Sequence, residues 1–190
     1  MKKALLLILI LSFCLCLFAC GDEGDVPDGM FLASYTESMD YKLFAPEGWV
    51  VAQASPTATQ VYASNSDRTN VLVNQWNVTE ATKTVEDWWE NEYWPQVHDA
   101  GAIKDAKLEK KGGSAATLGG VKARKYVYTG SVGDATFMYE VYACVTKGSI
   151  YVIHVTYMED GDPNSDEATF STVESRKTEI DAIIGNFKFN

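Results

Sequence analysis

The sequence predicts an α+β fold, an antiparallel β-sheet flanked by helices, on three observations. Residues 121–129, 135–147 and 149–158 are long β-prone runs joined by short Gly-containing turns. Connections that short require antiparallel neighbours, a meander. Two other stretches, 84–95 and 164–184, space their apolar residues as helices do. In 149–158, Tyr151, Ile153, Val155 and Tyr157 fall on one side and Ile150, Val152, His154 and Met158 on the other. Both sets are largely apolar, so this strand is expected at the centre, covered on both faces.

The chain opens with Lys2 and Lys3, an unbroken apolar run from Ala4 to Ala19 that closes on Leu17-Phe18-Ala19-Cys20, and then acidic Gly21-Asp22-Glu23-Gly24-Asp25. This resembles a bacterial lipoprotein signal peptide ending in a lipobox. Phe18 departs from the small or β-branched residue usual there. The apolar run is shorter than the roughly 20 residues a helix needs to cross the hydrocarbon core. The resemblance implies that residues 1–19 are removed and that Cys20 is the lipid attachment site. The mature chain is then held at the cell membrane or outer membrane, outside the cytoplasm. Each buried methylene contributes about 0.8 kcal/mol, so two or more acyl chains tether stably. An uncleaved anchor and a plain secreted protein are the alternatives. Gly21 after the cysteine is compatible with outer-membrane sorting.

The formal charge of the 190 residues is −10, and loss of Lys2 and Lys3 makes it more negative. Such a surface excludes electrostatic attraction to nucleic acid or anionic headgroups. Cys14 and Cys16 leave with the signal and Cys20 is lipidated, so Cys144 alone remains. No intrachain disulfide is then available, and Cys144, in an apolar strand, is expected to be a buried, inert thiol. Residues 20–34, rich in Gly, Asp and Pro, read as a flexible tether, and 35–190 as a single domain.

Within that domain, Tyr41 to Val51 reads as a hairpin around Pro46-Glu47-Gly48. Residues 60–64 and 69–77 are further strands, with Val71 and Val73 alternating with Leu72 and Asn74. Thr84 with Asp87 forms a capping box, and Val85, Trp88, Trp89 and Tyr93 share one helical face. Pro95 is expected to limit or kink that helix. Of Trp88, Trp89 and Trp94, two are expected to bury against the sheet, with carbohydrate stacking as the alternative. Residues 104–111 read as a charged edge strand or loop whose lysines blunt the edge. Gly112-Gly113 and Gly119-Gly120 bracket a turn region. In the last helix Asn164 or Ser165 caps. Phe170, Val173, Ile180, Ile183 and Ile184 form the buried stripe, and Gly185 the C-terminal cap. Residues 186–190 alternate as a final strand.

Tyr41 to Trp49 (Tyr-x-Leu-Phe-x-Pro-x-Gly-Trp), Gly119 to Tyr128, and Ile184 to Phe189 (Ile-Gly-Asn-Phe-Lys-Phe) together resemble the PsbP-like family. The likeness covers most of residues 35–190. It implies an α/β/α sandwich and a role in binding or assembling partners rather than in catalysis. It carries no catalytic motif.

Chemistry-bearing residues are few. His154 is expected as a hydrogen-bonded core residue and His98 as exposed. No HExxH, CxxC or close His/Asp cluster suggests zinc. Gly112-Gly113-Ser114-Ala115-Ala116 resembles a nucleophile elbow only superficially, because Gly119-Gly120 interrupts any following helix. Asp160, Asp162, Asn164 and Asp166 place oxygens at every second position, a candidate calcium loop. Ser165 and Ser171 stand where an EF-hand needs Gly and Glu, and strand termination plus helix capping explains the same residues. The expectation is a non-enzymatic, membrane-tethered binding or assembly module of the cell envelope. It has no cofactor and an unidentified envelope protein as partner. The alternatives are a hydrolase of envelope polymers using Glu86, Asp87, Glu90 and Glu92 as acid and base, or a weak calcium-binding domain. A solute receptor ranks last, for want of a second lobe.

Overall fold

The computed structural model describes residues 26–34, 39–55, 57–63, 68–159 and 170–190. The meander forms as expected. Strands β9 (Val121–Val132), β10 (Ala135–Thr146) and β11 (Ser149–Met158) are consecutive antiparallel neighbours. They continue through β6 (Asn70–Asn77), β5 (Ala58–Ala63) and β4 (Trp49–Ser55) to one edge, and through β7 (Lys104–Leu108) to the other. β11 is therefore the middle strand of the order β4-β5-β6-β11-β10-β9-β7. Its alternating side chains divide between two cores. Tyr151, Ile153, Val155 and Tyr157 enter one, with Val71, Val73, Ile180 and Ile183. Ile150 and Val152 enter the other, with Val85, Trp88, Trp89 and Tyr93. A helical segment thus lies on each face, and the fold is α+β. Burying a large apolar side chain stabilises by about 1.5–3 kcal/mol, which is why a strand apolar on both faces takes the centre.

Around this frame the local rules have four visible exceptions. The turn at Glu47-Gly48 forms, yet no hairpin does. β3 (Phe44–Pro46) pairs with β1 (Met30–Leu32), while β4 pairs with β5. β1 also shortens the expected tether, whose last residues Ala33 and Ser34 are buried; the Ser34 hydroxyl accepts from Leu43 N–H at 3.1 Å. Between the two Gly pairs lies a strand, β8 (Ser114–Leu118), rather than a turn region. Gly119 and Gly120, both at positive φ (56° and 77°), make the tight turn that folds β8 back onto β9 over Val121–Lys125. Finally, Gly185 is not a cap. The C-terminal helix α2 (Ser171–Asn186) runs past it and stops when Phe187 turns extended, φ −60°, ψ 132°. The Asn186 amide donates to Ala182 O at 2.9 Å, satisfying a terminal carbonyl. The expected caps Asn164 and Ser165 lie outside the described residues.

Several other expected elements form. β7 is an edge strand with Lys104, Lys107 and a register shift between them, features that discourage edge pairing. Phe170, Val173 and Ile184 flank buried Ile180 and Ile183 on α2. The last residues form β12 (Lys188–Phe189), paired with β2 (Tyr41–Lys42).

Candidate functional site

The helix that follows Thr84 organises one face. Its first turn is α1 (Val85–Trp88), and two π-helical turns, Trp89–Tyr93 and Pro95–Asp99, extend it. The capping box closes as expected: Asp87 N–H donates to Thr84 Oγ1 at 3.0 Å and Thr84 N–H to Asp87 Oδ2 at 3.2 Å. Pro95 neither ends the helix nor needs an N–H, because it sits at the first position of the second π turn. The i→i+5 spacing of a π turn puts residues five apart on one side. Trp94 N–H accordingly points to Trp89 O, and the indoles of Trp89 and Trp94 stack at 5.5 Å and 18°.

A ladder of rings results. Tyr126 lies flat on Trp89 at 3.7 Å and 4°, Trp94 follows, and His98 stacks on Trp94 at 5.5 Å. Trp88 and Trp89 are buried and Trp94 is half-buried. Two of the three tryptophans therefore belong to the core, as helical spacing predicted.

Polar groups under the helix are mostly spoken for. Tyr93 Oη is hydrogen-bonded to Tyr128 Oη at 2.8 Å and to His154 Nδ1 at 3.2 Å, so His154 is a hydrogen-bonded core residue. Burial lowers its pKa to about 4, which keeps it neutral. Burial likewise pushes the Tyr93 and Tyr128 phenols well above their ordinary value. Three buried polar atoms on this face have no hydrogen-bond partner among the described residues: Trp88 Nε1, Tyr126 Oη and His154 Nε2.

The four carboxylates considered for acid–base work are not assembled alike. Arg124 Nε donates to Glu86 at 2.6 Å, and that hydrogen bond holds the Glu86 carboxyl below the usual range. Asp87 is engaged in the cap. Glu90 is exposed beside a cleft, and Glu92 is half-buried on the helix.

That cleft, about 420 Å³, lies between the helix and the turn after β7, lined by Trp89, Glu90, Trp94, Leu108, Lys111 and Gly112. A second, about 340 Å³, opens on the opposite face over Lys125, Val127, Met138 and Glu140. There Lys125 Nζ donates to Glu140 Oε1 at 2.7 Å, and the Tyr142 hydroxyl donates to Glu140 Oε2 at 3.1 Å. Sequence reading passed over this triad. Its signal was a charged residue at an inward-facing position in each of two adjacent strands of a meander.

Cys20 and the candidate calcium ligands Asp160, Asp162, Asn164 and Asp166 lie outside the described residues. Among the described residues no group of three or more His, Cys, Asp or Glu is positioned to hold a metal. None of their helices is long and apolar enough to cross a membrane. Cys144 is buried, and burial pushes its thiol up to about 12. His98 is exposed, 2.8 Å from Asp99. Ser114 opens β8, its hydroxyl donating to Lys125 O at 3.4 Å.

No protein-family model matches the chain, and no curated protein does. Solved structures match by shape. A Bacteroides thetaiotaomicron protein is similar over 85% of this chain at 8% identity, TM-score 0.52. This chain spans about half of that one, 48%. PA94 of Pseudomonas aeruginosa, a protein of unknown function, is similar over 80% of this chain and 92% of its own, at 12% identity and TM-score 0.50. These two share the fold. LpqN of Mycobacterium tuberculosis, described as involved in cell envelope biogenesis, overlaps 79% of this chain and 83% of its own at 15% identity, TM-score 0.46.

Proposed function

We propose that this chain is a lipid-tethered, extracytoplasmic binding or assembly module of the cell envelope, built on a PsbP-like α/β/α sandwich and without catalytic activity. Residues 1–19 act as signal peptide and Cys20 carries the lipid. The helices on both faces of the sheet support the sandwich reading. So does the meeting of the three segments that resemble the PsbP-like family. Tyr41 stacks on Phe187 at 5.5 Å, Phe189 pairs with Tyr41 across the β12–β2 ladder, and a Cβ on Gly119 would fall 2.7 Å from the Phe189 ring. Residues far apart in the chain thus form one corner of the core, which explains their pattern as structural.

The observation that carries the binding reading is how the reactive groups are used. Glu86 is paired to Arg124, Asp87 caps a helix, Glu140 holds Lys125 and Tyr142, and His154 is locked neutral against Tyr93. A general acid or base has to exchange protons with a substrate, and groups held in structural bonds are poorly placed for that. The open cleft over Glu140, whose carboxylate Lys125 and Tyr142 already satisfy, suits recognition instead.

The test is metabolic labelling with a fatty acid, together with affinity capture from envelope extract. Wild-type chain should be labelled and Cys20→Ala should not, and capture should return a specific envelope component. An unlabelled wild-type product, or turnover found in a hydrolase screen and abolished by Glu90→Gln, would overturn the reading.

A further inference from the structure

We propose that the β4 edge of the sheet is where two copies of this chain pair, strand against strand, about a two-fold axis. Such pairing does not depend on the lipid tether.

The two ends of the sheet are built differently. β7 carries Lys104, Lys107 and a register shift, which discourage a further strand. β4, at the other end, reads Trp-Val-Val-Ala-Gln-Ala-Ser and holds no charge. The neutrality extends inward. None of the seven, six and eight residues of β4, β5 and β6 is Asp, Glu, Lys or Arg, in a chain where 22% of residues are. Among the described residues no strand pairs with the outer side of β4, so a row of backbone N–H and C=O groups is open to another chain.

The side chains beside that row are apolar and exposed. Trp49 and Ala63 enter the core under α2. Alternation therefore turns Val50 and Tyr62, which face each other across β4 and β5, to the opposite side. Val50 and Tyr62 are each 39% exposed and Val51 is 38% exposed, half of the large apolar side chains that the described residues leave in solvent. The strand is also fixed before a partner arrives. The Trp49 indole is buried, and its Nε1 donates to Glu179 Oε2 on α2 at 3.2 Å. An edge already ordered loses little entropy on pairing.

What fits here is a second uncharged edge. A charged segment finds no counter-charge on β4, β5 or β6 and would be desolvated against them at a cost. A second copy brings the same neutral edge. Identical strands related by a two-fold axis run antiparallel, which continues the pattern of the sheet. With Val50 opposite its own copy, a row Tyr62–Val50–Val50–Tyr62 closes across the axis, and aromatic and β-branched neighbours are favourable cross-strand pairs. The register shift between Val51 and Gln53 bends the strand, so the regular ladder is short and the pairing reversible. Repulsion between two chains of charge −10 comes from residues outside these strands and is screened by salt.

The experiment is photocross-linking in cells that produce the full chain as two differently tagged copies, with p-benzoylphenylalanine replacing Val51, Tyr62 or, on the opposite edge, Lys107. Positions 51 and 62 should each yield a product carrying both tags, at least about tenfold more than position 107. With the cross-linker at 62, Val50→Lys should reduce the product at least about tenfold, and Val132→Lys, at an exposed apolar site away from β4, should not. Melting temperature checks that the exposed Val50 tolerates lysine, and Val51→Lys is a second, independent variant expected to act alike. In lysate, raising salt from about 0.1 to about 1 M shortens the screening length from about 10 to about 3 Å and should leave the product undiminished. A two-tag product that is absent from 51 and 62, as strong from 107, unaltered by both edge lysines or lost in high salt overturns the proposal. So does a product that joins this chain to a different protein instead.

Discussion

The hydroxyl of Tyr93, on the π-helical segment, lies 3.2 Å from Nδ1 of His154 on the central strand. The helix is thereby bonded to the middle of the sheet through a ring that must stay uncharged. Burial sets the His154 pKa at about 4, against about 6.5 for an unfolded chain. Between those values the unfolded state binds the extra proton, so stability rises with pH there and falls as pH drops from about 6.5 toward 4. From pH 7 to pH 5 this group should remove about 2 kcal/mol. Urea unfolding at both values should show that loss in wild type, and His154→Phe should lack that share of it.

The Lys125–Glu140 pair is the second candidate for coupling. Its side chains are only 27% and 12% exposed, so removing one partner leaves the other charge poorly solvated. Lys125→Met or Glu140→Leu alone should destabilise by about 1–3 kcal/mol. The double variant should recover much of that, because an apolar pair leaves no stranded charge. A double-mutant cycle by chemical denaturation measures the coupling, and additive losses would refute it.

Cys144 should be silent in the folded protein. Burial pushes its thiol up to about 12, and the thiolate is the reactive form. A disulfide reagent at pH 8 should react with it only after denaturant is added. The rate should follow global unfolding as denaturant rises.

The start of the tryptophan helix should depend on Thr84. Thr84→Ala removes the acceptor for Asp87 N–H and should cost about 1 kcal/mol. Trp89→Ala deletes a ring packed on Tyr126 and should cost about 3–5 kcal/mol. Thermal unfolding of both variants checks the order, with the Trp89 change the larger.

Much of the fold was legible because burial leaves a periodic trace. The two-residue alternation in 149–158 foretold the central strand and the division of its side chains between two cores. The helical spacing of Val85, Trp88, Trp89 and Tyr93 foretold which face buries. The candidate site was less legible. Trp94 was visible only as one of three tryptophans, since the local pattern does not report a switch from α to π turns. Lys125 and Glu140 read as ordinary charges in strands, because their bond depends on the register of β9 against β10.

Residue chemistry along the chain was enough to give the meander, the tryptophan helix, the core faces of both, the buried Cys144 and the hydrogen-bonded His154. Those follow from the chemistry of each residue and its nearest neighbours along the chain. Tertiary structure alone decided that β3 leaves its expected hairpin for β1, that Gly185 stays inside the helix, and that two indoles share a cleft with Glu90 and Lys111. Each of these depends on partners distant in sequence. Periodicity records that a face will be covered, and only the folded chain says by what.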